Sequence, residues 1–80
     1  MRRYFFDVMK HGRSELDYTG RLFATAAEAH DAAELMALDL VVKESEGMIG
    51  STVIVSSPEG QKLFSIPVRA SYLAATPTVV

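Results

Sequence analysis

The chain has 80 residues, 49% of them hydrophobic, 22% charged and 9% aromatic, with a formal net charge of −2 and no cysteine. That is the composition of one small globular domain, and it excludes a disordered or fibrous chain, disulfides and thiolate metal sites. A chain of this size buries only about 60–65% of the surface its unfolded form exposes, so a partner subunit is the remaining conventional aid to its small core.

Met1-Arg2-Arg3 is followed by a short apolar stretch that Asp7 interrupts, which lacks the form of a secretory signal. No apolar run approaches the ~20 residues of a membrane span. The expectation is a cytoplasmic protein with no membrane partner. Arg3 to Met9 reads as a strand whose core face is Tyr4, Phe6 and Val8. Lys10-His11-Gly12-Arg13 is a turn in which Gly12 can supply a positive φ. Ser14 to Thr19 returns as a weakly apolar second strand at a sheet edge, with Leu16 and Tyr18 on one face and Glu15 and Asp17 on the other. Gly20 ends it, and Arg21-Leu22-Phe23 leads to a helix.

The helix is announced by Thr25-Ala26-Ala27-Glu28, a capping box in which the Thr hydroxyl accepts from the Glu28 amide and the Glu28 side chain reaches back. Good helix formers continue to about Glu46, and Gly47 provides the stop. At about 100° per residue, Ala26, Ala29, Ala33, Met36 and Leu40 share one face, the one expected on the sheet. Leu35, Leu38 and Val42 form a second apolar arc, more than a helix on a single sheet requires.

Ser51 to Ser57 reads as a branched-residue strand, Ser57-Pro58-Glu59-Gly60 as a type I turn closed by a glycine bulge, and Lys62 to Val68 as the returning strand. The turn pairs Ile54 with Phe64, whereas the cleanest apolar face pairs Val55 with Phe64; the turn chemistry is the favoured guide. Pro67 marks an edge or an irregular end. The domain is taken as residues 1–68. Residues 69–80 have no clear period and read as a tail, frayed or adding one short strand. The expected architecture is α+β: two antiparallel β-hairpins with one α-helix between them packed on the sheet (ββαββ), in a strand order the sequence leaves open.

The opening Arg3-Tyr4-Phe5-Phe6-Asp7, the His11-Gly12 turn, Asp17, Gly20 and Ala26-Ala27-Glu28-Ala29 together resemble a family of short bacterial proteins of unknown function that open Arg-Tyr-Phe-Phe. The Pro58-Glu59-Gly60 hairpin also fits. Where that family has Asp-Gly at its first turn, this chain has His11-Gly12. The resemblance implies a fold and a bacterial origin, and no activity.

Charge is unevenly distributed. Residues 1–24 hold five cations (Arg2, Arg3, Lys10, Arg13, Arg21) against three acids, whereas residues 25–46 hold only Lys43 against six acids. An acidic helix beside a mildly basic hairpin is a poor footprint for nucleic acid. Arg3-Tyr4-Phe5-Phe6 has the basic and aromatic interleaving of an RNA platform but lacks a matching second strand. His30 and Glu34 share a helix face without an evident third metal ligand. Asp7 and Asp17 can approach across the first hairpin, where surface charge explains them as well as acid–base chemistry. Gly47-Met48-Ile49-Gly50-Ser51 lacks the lysine and following helix of a phosphate loop. No serine stands in a recognisable nucleophile motif.

These features favour a non-enzymatic interaction module without a cofactor, self-associating as a homodimer or taking an unidentified protein partner. Its candidate interface is Phe5, Leu35, Leu38 and Val42. The alternative is a nucleic-acid-binding or antitoxin-like regulator using Arg2, Arg3, Arg13 and Arg21.

Overall fold

The computed structural model describes residues 1–44 and 49–69. Along the chain run β1 (Arg2–Lys10), β2 (Arg13–Glu15), β3 (Arg21–Phe23), α1 (Ala26–Glu44), β4 (Thr52–Ser56) and β5 (Lys62–Pro67). The fold is the expected α+β, one antiparallel sheet with the helix packed on it. The helix stop at Gly47 and the tail beyond Arg69 lie outside the described residues.

Strand order is β2-β1-β4-β5, and β3 resumes pairing with β1 where β2 leaves off. The helical crossover thus sets the second hairpin against β1, the longest strand, which lies inside the sheet. The first turn is a two-residue loop closed by Lys10 and Arg13, with His11 and Gly12 both at positive φ (31° and 81°), the conformation whose twist matches the flanking strands.

The second strand differs from expectation. Pairing stops at Glu15, residues 16–20 arch away, and the segment read as a connection, Arg21–Phe23, is itself a strand. Five residues of the arch stand opposite Phe5, Phe6 and Asp7, so two are surplus to the ladder. Leu16 and Tyr18, lifted out of the pleat, are exposed.

The second hairpin also departs from expectation. Gly60 N–H donates to Ser57 O (2.9 Å) and Ser57 N–H to Gln61 O (2.8 Å), as the turn demands. Ser56 then pairs with Lys62, but Val55 pairs with Phe64 rather than Ile54 doing so. A bulge at Leu63 adds one residue to β5 and carries the ladder from the register of the turn to that of the apolar face. Burial of Phe64 beside Val55 outweighs one lost ladder position.

The core joins Tyr4, Phe6 and Val8 of β1, Val53 and Val55 of β4, Ile66 and Val68 to Ala29, Ala33, Ala37 and Val41 of α1. The last four are fully buried, whereas Ala26, Met36 and Leu40 of the expected face pack partly buried beside them. The seated line is therefore rotated. An i, i+4 row of small residues gives the closest helix–sheet approach, and the longer Met36 and Leu40 fill its flank. Ala33→Leu should accordingly cost about 1–3 kcal/mol by overpacking. Ala27→Leu, on the exposed side, should stay within about 0.5 kcal/mol. Urea denaturation of the two variants checks the orientation of the helix.

At the helix start, Thr25 Oγ1 accepts from Glu28 N–H (3.2 Å) as expected. The carboxylate of Glu28 takes the Thr25 hydroxyl (3.3 Å) in place of the backbone amide. No helix among the described residues is long and apolar enough to cross a membrane.

Candidate functional site

The arch is the most elaborated polar structure among the described residues. Asp17 Oδ2 accepts the Phe6 amide (3.1 Å), and Asp17 Oδ1 accepts those of Thr19 and Gly20 (both 3.0 Å). Its own N–H donates to Asp7 Oδ1 (2.8 Å). One side chain thus supplies the acceptor that β1 loses where the strands part, and the neighbouring carboxylate holds it there. Partial desolvation is the largest single influence on the Asp17 carboxyl and pushes its pKa up. The Gly20, Phe6 and Thr19 amides together with Arg21 outweigh it, so the pKa is lowered on balance. Asp7 and Asp17 do come together, as backbone acceptors rather than as a facing acid–base pair.

Gly20 closes the arch at φ 73°. A Cβ there would lie 2.7 Å from Arg3 Cγ, 3.0 Å from Phe5 Cε1 and 3.0 Å from Tyr4 O. The position requires glycine for both conformation and space. Asp7, Asp17 and Gly20, three of the residues that carry the family resemblance, therefore build one backbone device.

The four arginines do not form a common face. Arg2 pairs with Glu59 (2.7 Å) near the second turn, and Arg13 stands at the tip of the first hairpin. Arg3 Nη1 donates to Thr19 O (2.8 Å), on the sheet face turned away from α1. Arg21 lies over the rings of Phe6 (5.6 Å) and Phe23 (5.5 Å) on the helix side.

The candidate interface residues are likewise divided. Leu35 and Val42 are exposed (67% and 50%) and Leu38 is half-buried, all on the outer arc of α1. With Arg21, Ala32, Met36 and Asp39 they line an open groove of about 530 Å³. Phe5 is half-buried on the opposite side of the domain, on the sheet's open face. There the cross-strand rows are Phe5–Ser56–Lys62, Asp7–Ile54–Ser65 and Met9–Thr52–Pro67. Ile54 belongs with Phe5 and escaped the sequence reading, because only the strand order places β4 beside β1.

His30 Nδ1 lies 3.0 Å from Glu34 Oε1 and 3.8 Å from Asp31 Oδ1, so Asp31 is the third group that the spacing alone did not reveal. The ring of His30 also stands edge-on to Phe64, with centroids 4.8 Å apart. Both carboxylates approach the same ring nitrogen, and both acids are exposed while His30 is half-buried. That is the geometry of side-chain contacts on one helix face rather than a closed metal cage.

No curated protein and no solved structure matches the chain. A family model described as a domain of unknown function (DUF6894) matches residues 3–69, from β1 to the residue after the last core valine, and the chain belongs to that family.

Proposed function

We propose that this domain is a non-enzymatic interaction module that associates with itself and serves a regulatory or accessory role in the bacterial cytoplasm. The observation that carries the reading is its two-layer construction. Among the described residues, one helix covers one face of the sheet, and apolar side chains remain uncovered on both outer surfaces: Leu35 and Val42 on the helix, Met9 and Leu22 on the sheet. Surface of this kind suits a partner of the same modest size. The Asp7 and Asp17 carboxylates, the pair best suited to acid–base work, already accept backbone amides, which favours a structural over a catalytic role. The absence of cysteine fits a reducing compartment. The nucleic-acid alternative draws less support, because its arginines are split between the two faces and Arg2 is taken by Glu59.

Sedimentation velocity over a wide concentration range tests the reading. The expected result is a monomer–dimer equilibrium in the micromolar range, with a melting temperature that rises with concentration. A monomer at every concentration would remove self-association.

A further inference from the structure

We infer that the second copy packs on the open face of the sheet, so that two sheets stack back to back with both helices outermost. This rests on the self-association proposed above and assigns its surface. Among the described residues a second copy has three places to dock, and two are unfavourable.

The sheet edges are blunted. Val68 N–H donates inward to Ser51 O, so the adjacent Pro67 faces outward along β5, where it offers no N–H to a further strand. The bulge at Leu63 interrupts the same edge. On the other side of the sheet, the edge consists of β2 and β3, two three-residue strands interrupted by the arch, too short to pair along a further strand.

The outer arc of α1 repels its own copy. Leu35, Leu38 and Val42 are interleaved with Glu28, Asp31 and Glu34. A two-fold axis through that arc would bring the acids of both helices together, and like-charge juxtaposition of that kind is costly.

The open face of the sheet has neither fault. Phe5, Met9, Ile54 and Pro67 lie among Ser56, Ser65 and Thr52, whose short side chains permit the ~10 Å approach of stacked sheets. Its charges have both signs: Arg3 and Lys62 against Asp7. Asp7 is tied to the Asp17 amide and Arg3 to Thr19 O, so neither must be stripped of its partner on docking. Lys62 closes the Phe5 row at the β5 side, where a long side chain keeps its ammonium in water over an apolar neighbour. Four strand widths by the length of β1 give a footprint on the order of 500 Å² per copy, below the ~800 Å² of a standard interface and consistent with micromolar association.

Sedimentation equilibrium of the full chain, beside its Ile54→Lys, Ser65→Arg and Leu35→Lys variants, tests the assignment. Ser65 is exposed, so Ser65→Arg leaves the fold intact even where Ile54→Lys disturbs it; circular dichroism checks each variant. Ser65→Arg and Ile54→Lys should each raise the dimer dissociation constant at least about tenfold, and Leu35→Lys should change it less than about twofold. A dimer that survives Ser65→Arg and is lost in Leu35→Lys overturns the back-to-back arrangement and leaves self-association standing. A monomeric wild type overturns both.

Discussion

Gly20→Ala should be among the most damaging single-methyl changes in this protein, costing roughly 2–5 kcal/mol from backbone strain and overpacking together. The residue sits at φ 73°, where an L side chain is strained in any surroundings. Here the surroundings add to it. The new methyl would meet Arg3 Cγ at 2.7 Å and the Phe5 ring at 3.0 Å, which side chains can yield, but also Tyr4 O at 3.0 Å, a backbone atom that cannot move without shifting β1. A domain of this size has a total stability of about 4–12 kcal/mol, so the loss is a sizeable share of the whole. Gly12→Ala is the control. Its φ is 81°, but nothing lies within 4 Å of the new methyl, so it should bear the strain alone and cost about half as much. Equal losses in the two variants, measured by urea denaturation, would mean that the arch is not packed against β1 as described.

Asp17→Ala should cost roughly 2–4 kcal/mol, because it deprives three amides of their acceptor at once and the partly buried Phe6 N–H is poorly placed to regain one from water. Asp17→Asn keeps one carbonyl oxygen and should lose about half of that. The wild type minus Asp17→Asn difference should also depend on pH. The folded pKa of Asp17 is lowered, so its contribution is fully present above the ordinary carboxylate value of the unfolded chain. It should shrink as pH falls below about 4, through the lower folded value. A difference that grows on acidification would contradict the carboxylate's role as an acceptor.

The parts of this fold written in local pattern were legible in the sequence. Alternation placed Tyr4, Phe6 and Val8 in the core, and Thr25 with Glu28 marked the helix start. Pro58 and Gly60 defined the second turn. The arch was not legible, because Asp17 in a polar, alternating stretch has the pattern of an outward strand residue. Its value lies in reaching back to the Phe6 amide eleven positions away. Gly20 carried the same ambiguity: it looked like a strand stop, while its actual constraint is the closeness of Arg3, Tyr4 and Phe5. In the second hairpin, turn and pattern each held part of the truth, and a bulge at Leu63 reconciled them. On the helix, periodicity found the apolar arcs but not which row of small residues sits deepest, because that depends on how the axis crosses the sheet. The open sheet face was legible only through Phe5. Ile54 joins it by strand order, which a helical crossover does not fix.

The central claim, that the sheet's uncovered face is where the domain meets its own copy, is tested most directly by a dilution series of amide NMR spectra on the wild-type chain. The amides of Phe5, Ile54 and Ser65 and their neighbours on β1, β4 and β5 should shift together with concentration, while those of Leu35 and Val42 stay still. Concentration-dependent shifts confined to α1, or none on any strand, would contradict it.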